Sequence, residues 1–241
     1  MDKNKNTIEF IIDEVNFPNK GTAVVNGEAV KFKGGIKGQK VSAKISRRRR
    51  GNLEVKLNEV LEDSPLETEM GCPHFGACGG CLYQKLPYEK EIEYEDIGVE
   101  IEGIEKSPIV NGYRNKMEYT FGDEVKDGPL ALGMHKRGRF YEVVNVDECN
   151  IVDKDFTTIR ETVRGYFEGK NTPYFKKRSH KGVLRHLVIR KSASTGEILI
   201  NIVTTSQENW DIEGFINMLL NIDGLNGKIA GILHSINDGL G

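Results

Sequence analysis

The spacing of hydrophobic positions changes along this chain: short two-residue alternations run as far as Leu61, and longer alternations with a helical period begin at Tyr113. Thr7–Glu14, Thr22–Val25, Glu28–Lys33, Lys40–Arg47 and Leu53–Leu61 are each rich in Val, Ile or Phe, residues that suit a pleated surface. Asn19-Lys20-Gly21, Asn26-Gly27, Gly34-Gly35 and Arg50-Gly51-Asn52 separate them. The Asn26-Gly27 pair is the sharpest hairpin signal, because a type I′ turn needs positive φ at both central positions. Short strands with tight turns predict a small closed barrel, since closure removes exposed edges from so small a sheet.

Tyr113–Gly122 puts Met117, Tyr119 and Phe121 on one face of a strand, and Leu130–His135 pairs with Phe140–Val146 across the basic turn Lys136-Arg137-Gly138-Arg139. Asp153 caps a helix whose apolar positions, Phe156, Ile159, Val163, Tyr166 and Phe167, fit a 3.6-residue period. Val183–Arg190 and Glu197–Thr204 form a hairpin around Ser194-Thr195-Gly196, and a helix near Asp211–Leu220 and a strand near Ile229–Ser235 follow. The expected architecture is therefore α+β and multidomain: an OB-like barrel over residues 1–64, a cysteine-rich loop and acidic linker over 65–110, and an α+β domain over 111–241. The Gly-rich turn Asn237-Asp238-Gly239-Leu240-Gly241 reads as leading into something further, so a truncated chain is expected.

Composition adds a class. At 241 residues and 38% hydrophobic content, the chain can bury one sizeable core or two smaller ones. It has no run of ~20 apolar residues, and Met1 to Lys5 is too polar for a signal peptide. A cytoplasmic monomer with no membrane partner is expected. The formal charge of −2 conceals local extremes: nine Lys or Arg and no acid between Lys31 and Arg50, eight acids against two lysines between Glu89 and Lys106, and nine basic residues against Glu168 alone between Arg164 and Lys191. Such patches, rather than the total, attract nucleic acid, although a charge run is most often a solvated face.

The four cysteines, Cys72, Cys78, Cys81 and Cys149, are spaced as a tight triplet followed by a remote fourth. Gly76, Gly79 and Gly80 give the triplet the backbone freedom to wrap an inorganic centre. Structural disulfides do not fit a reducing compartment. Four thiolates can hold either zinc or an iron–sulfur cluster; a triplet plus a distant singlet favours a [4Fe–4S] cluster, while zinc stays open and unligated structural cysteines come third. His74, inside the loop, could ligate zinc, but an exposed loop histidine is the plainer reading. Bound there, the metal would contribute folding free energy to a loop with little apolar mass of its own.

Cys72-Pro73-His74-Phe75-Gly76-Ala77-Cys78-Gly79-Gly80-Cys81, Tyr83-Gln84, Tyr113-Arg114-Asn115-Lys116, Leu132-Gly133-Met134-His135 and Asp147-Glu148-Cys149 together resemble the iron–sulfur uracil-5-methyltransferases that act on 23S ribosomal RNA. The resemblance covers nearly the whole chain. It implies that the first strands form a TRAM domain, an OB-like RNA-binding barrel, and that the region from Tyr113 is the family's central RNA-binding domain. Full-length members use S-adenosylmethionine to methylate carbon 5 of uridine: a cysteine thiolate attacks carbon 6 and a carboxylate removes the carbon-5 proton. The family carries the nucleophile and methyl-donor site on a Rossmann-like carboxy-terminal domain. Here there is no Gly-rich cofactor fingerprint and no fifth cysteine, so no catalytic residue is assigned and S-adenosylmethionine belongs to a full-length parent. Between Tyr88 and Pro108 the chain also looks short, by about one to three helical turns, of a helix usual in the family. The related transfer-RNA enzymes generally lack both barrel and cluster, so 23S ribosomal RNA is the expected partner and binding without turnover the expected behaviour.

The residues expected to meet RNA are Arg47, Arg48, Arg49 and Arg50, read as a loop with Lys44 nearby, then Arg114 and Lys116 on one strand face, then His135, Arg137 and Arg139. Lys176, Lys177, Arg178, His180, Lys181, Arg185 and His186 form a second tier, in which Arg185 and His186 must point oppositely. Phe75, Phe140 and Tyr141 are possible stacking rings, although strand aromatics are more often core. Two other classes compete: a stand-alone RNA-binding protein with structural zinc, and a redox protein for which the Glu89–Glu105 stretch would be the partner surface.

Overall fold

The computed structural model describes residues 6–16, 19–49, 51–68, 72–91 and 105–240. The fold is mostly β, with two mixed sheets and few helices, and divides into two compact units: Met1–Gly71 with Cys81–Lys106, and Cys72–Gly80 with Ser107–Gly241.

In the first unit, strands β1 (Thr7–Ile11), β2 (Glu14–Asn16), β3 (Lys20–Val25), β4 (Glu28–Lys33), β5 (Lys40–Arg49) and β6 (Asn52–Glu62) form one sheet in the order β1-β5-β6-β4-β3-β2, antiparallel except where β4 meets β6. The sheet curls far enough for β1 to approach β3. Its inner face buries Phe10, Val30, Val41, Ala43 and Leu53, and Phe10 packs against Phe32 with ring centroids 5.3 Å apart. Asn26 and Gly27 both take positive φ, as the hairpin between β3 and β4 requires. The expected single strand Thr7–Glu14 is instead broken at Ile12, whose backbone N–H and C=O bond Gln39 and Gly38 at 2.9 Å each and so leave the ladder. A short helix, α1 (Tyr88–Glu91), follows the segment in which Lys85 pairs with Asp63 and Glu67. Most of the acidic stretch from Glu89 to Lys106 lies outside the described residues.

The second unit's sheet runs β12-β11-β10-β7-β8-β9, with β7 Lys116–Asp123, β8 Leu130–Lys136, β9 Arg139–Asn145, β10 Leu184–Lys191, β11 Glu197–Thr204 and β12 Lys228–Ile236. Only the β11–β12 pairing is parallel among these. Helix α2 (Lys154–Lys170) packs on β8, and α3 (Ile212–Leu220) packs on α2. Met117, Tyr119 and Phe121 turn inward with Leu187, Ile189, Ile200 and Ile202, against Phe156, Ile159, Val163 and Phe167 of α2. Asp153 caps α2 by accepting from the Asp155 N–H, and Asn171 closes it in the left-handed region at φ 53°. Gly133 has no room for a side chain: an added Cβ would stand 1.9 Å from the Val144 carbonyl oxygen, so glycine lets β9 lie close against β8.

Candidate nucleic-acid interface

Three of the four cysteines belong to the second unit. Cys72 and Cys78 lie on the segment 72–80 and Cys149 on the turn after β9, while Cys81 opens the second segment of the first unit. The 72–80 segment is held by backbone bonds to the β8–β9 hairpin: the Gly79 N–H donates to the His135 carbonyl (3.0 Å) and the Arg137 N–H to the Ala77 carbonyl (2.8 Å). It is tied to the Cys149 turn by the Cys72 thiol, which donates to the Glu148 carbonyl at 3.6 Å, and by the Glu148 N–H, which donates to His74 Nε2 at 3.3 Å. His74 is thus a brace rather than a bare loop residue. Arg160 braces the same turn from behind. Wholly buried, it donates to the Leu132 carbonyl and to Asp147, 3.0 Å each.

None of the four cysteines is in a disulfide. The Gly80 N–H points at Cys78 Sγ at 3.3 Å, and the Ile151 and Val152 amides favour a thiolate at Cys149. Burial pushes both the Cys78 and Cys149 thiols above the usual range, and the neighbouring thiols add to the effect. Cys72, Cys78 and Cys149 therefore sense one another. Among the described residues no group of three or more His, Cys, Asp or Glu side chains is placed to hold a metal ion.

Two turns of the second unit face each other beside that segment. One is the tip of the β8–β9 hairpin, which presents Phe140 and Tyr141. The other spans Lys176 to Lys181, closed by the Lys176 N–H donating to the Lys181 carbonyl at 2.8 Å. Phe140 and Tyr141 are 56% and 58% exposed, against the expectation that strand aromatics are core. They sit at a register shift between His135 and Lys136, with rings edge to face at 5.7 Å. His135 stacks on Phe140 at 4.8 Å. Lys177 Nζ lies 4.2 Å from the Phe140 ring centre, and the Arg178 guanidinium 4.7 Å from that of Tyr141. Arg137 stands over Phe75 at 5.4 Å.

Ion pairing sorts the expected RNA contacts. Lys116 is held by Glu118 at 3.0 Å, Arg139 by Glu142 at 2.8 Å, and Arg48 approaches Glu28 at 3.6 Å. Arg47, Arg49, Arg114, Lys177 and Arg178 have no carboxylate partner among the described residues. The expected arginine loop is, through Arg49, the end of strand β5, while Arg50 lies outside the described residues. A register shift between Ile45 and Arg47 makes Ser46 an extra residue, so Arg47 and Arg49 share the outward face with Lys44, and Arg48 does not. Arg114 lies just before β7 and pairs through its backbone with Ile151 and Val152. Arg185 and His186 do point oppositely: Arg185 is buried, donating to the Asn237 carbonyl at 3.1 Å and to the Gly239 carbonyl, whereas His186 lies near Thr120 and Glu118 on the face away from the helices.

The histidines report the local field. Burial holds both His135 and His186 below the ordinary histidine range; Lys177 adds to this at both, and Arg185 and His135 add to it at His186, where Glu118 opposes it.

No protein-family model matches the chain. It is 47% identical over 252 aligned residues to a protein of Clostridium acetobutylicum described as an uncharacterized RNA methyltransferase, covering 100% of this chain and 55% of that one. A second, from Caldanaerobacter subterraneus subsp. tengcongensis with the same description, is 43% identical over 94% of this chain and 53% of its own length. The chain thus spans about half the length of the curated relatives it matches. Among solved structures, the Pyrococcus abyssi tRNA (uracil-54, C5)-methyltransferase in complex with S-adenosyl-L-homocysteine superposes with a TM-score of 0.66 at 21% identity, over 96% of this chain and 52% of that one. That likeness shows a shared fold.

Proposed function

Because its relatives are RNA methyltransferases, we propose that the chain is the RNA-holding portion of an RNA (uracil-C5) methyltransferase acting on 23S ribosomal RNA. The observation that carries this reading is the gathering of unneutralised cations and exposed rings where the Lys176–Lys181 turn faces the β8–β9 hairpin. Phosphates would pair with the cations, and the outward Lys44, Arg47 and Arg49 of the first unit supply a second basic strip. Methyl transfer from S-adenosylmethionine would be carried by a part of the parent protein outside these 241 residues. Cys72, Cys78, Cys81 and Cys149 would hold a [4Fe–4S] cluster, supported by their spacing and by the amides directed at Cys78 and Cys149.

The test is equilibrium binding of the chain to a 23S ribosomal RNA fragment, a transfer RNA and a DNA duplex of similar length at several salt concentrations. Preference for the ribosomal fragment is expected; equal affinity for all three would remove the target assignment. For the metal, anaerobically prepared protein should be brown and contain iron and sulfide in about equal amounts, and Cys149→Ser should lose both. Colourless protein with stoichiometric zinc would favour a structural zinc site instead.

A further inference from the structure

We propose that the Phe140–Tyr141 pair and the Lys177–Arg178 pair form an exchange site for unpaired nucleotides, in which bases take the ring faces and the cations move to the adjoining phosphates. The inference rests on the RNA-holding role proposed above and deepens it, by naming single-stranded rather than paired RNA as the element read here.

Three observations carry it. The two rings are more than half exposed and stand together, edge to face, on a hairpin tip. Their faces are already covered by positive charge, Lys177 on Phe140 and Arg178 on Tyr141, with His135 continuing the Phe140 stack on the ring plane at 13°. Neither cation has a carboxylate among the described residues, so neither is committed elsewhere.

Magnitudes favour the exchange. A cation over an exposed ring shifts an equilibrium by about two- to fivefold, whereas a base stacked on such a ring shifts it by about five- to a hundredfold. The displaced ammonium or guanidinium gains a charge-assisted bond to phosphate in return. Both partners improve at once. A paired duplex would not trigger the exchange, because its base faces are stacked inside the helix and only phosphates and groove edges meet the protein.

The experiment uses the full chain and an oligouridylate of about 12 nucleotides carrying a central 2-aminopurine, with a duplex of equal length beside it. Wild-type protein should quench the 2-aminopurine on binding. Tyr141→Leu and Phe140→Leu should each weaken single-strand binding about tenfold and lessen the quench, leaving duplex binding within about twofold. Tyr141→Phe keeps the ring and should behave as wild type, which separates stacking from loss of fold. Lys177→Gln should lower the salt dependence by about one phosphate contact. The inference is overturned if the leucine variants bind and quench like wild type, if duplex binding falls equally, or if Tyr141→Phe is as weak as Tyr141→Leu. Wild-type protein that binds neither RNA would instead overturn the RNA-holding role itself, and this inference with it.

Discussion

Arg160 places a full charge where no solvent reaches it, and answers that cost with the Leu132 carbonyl and the carboxylate of Asp147. The arrangement is lopsided, because Asp147 is itself 62% exposed in its side chain. Replacing Arg160 with Met should therefore lower unfolding free energy in urea by about 2 kcal/mol, chiefly by stranding a buried carbonyl. Asp147→Asn should cost less than about 1 kcal/mol. Arg160 was detectable in principle: it stands four residues after Phe156 and three before Val163, on the apolar side of α2, where a charged residue is out of place. What the residue reaches from there depends on a turn formed elsewhere in the chain. His186 offers a second residue-scale test. Its folded pKa lies below the unfolded value because of burial, against the pull of Glu118 and with Arg185, Lys177 and His135 pushing the same way as burial. The neutral form is thus the one the fold prefers, so the stability it contributes is present above about pH 6.5 and is lost as pH falls through the folded value. A bound phosphate favours the charged form, so RNA affinity should rise between pH 7.5 and 6.0, and His186→Gln should flatten that rise, as titrations at about 0.1 M salt would show.

Among the elements, α2 shows how local chemistry and distant packing divide the work. Its start was legible because an aspartate cap needs only its own peptide neighbours, and Asp153 does accept from the Asp155 N–H at 2.9 Å. Asp155 was not legible as an anchor. It receives the Asn226 and Gly227 N–H groups at 2.8 Å and Lys191 at 2.7 Å, joining the helix to segments that precede β12 and end β10. Burial alone would raise its pKa, but Lys191 and the two amides outweigh burial and hold it below the usual carboxylate range. Its contribution is present above about pH 4 and lost on acidification below that. Asp155→Ala should cost about 2–3 kcal/mol in thermal or urea unfolding, since it leaves two amides without their acceptor and Lys191 with Asp153 alone. The Asn26-Gly27 hairpin was readable for the same local reason as the cap. The arginine run was not, because whether it is loop or strand is decided by β6 pairing, and which arginines face outward is decided by the extra residue at Ser46. Likewise, Phe140 and Tyr141 follow a strand pattern that suits a core, and only the Lys176–Lys181 turn, some forty residues later in the chain, explains their exposure.

For the whole molecule, charge arrangement decides more than net charge. With about six phosphates neutralised, RNA affinity should fall by roughly a thousandfold between about 50 and 200 mM salt, measurable by filter binding; a slope near zero would mean the basic faces are merely solvated. The mostly β fold and its succession of strands followed from hydrophobic spacing, but the threading of the chain between units did not. Spacing registers local structure, whereas membership of a unit is fixed by pairings such as Cys78 with Lys136.

That threading bears on how the protein is made. The chain deposits 72–80 in the second unit, goes back to the first with Cys81, and re-enters the second at Ser107. During synthesis from the amino end, the first sheet and its core, from Phe10 to Val55, are complete once β6 has left the ribosome, and the Thr68 N–H finds the Lys85 carbonyl only later. The 72–80 segment meanwhile waits, with two thiols uncovered, until Lys136 and the Glu148 turn arrive. Stalled nascent chains should thus show protease protection of the first strands once β6 has emerged, and alkylation of Cys72 should slow only once residue 149 is out.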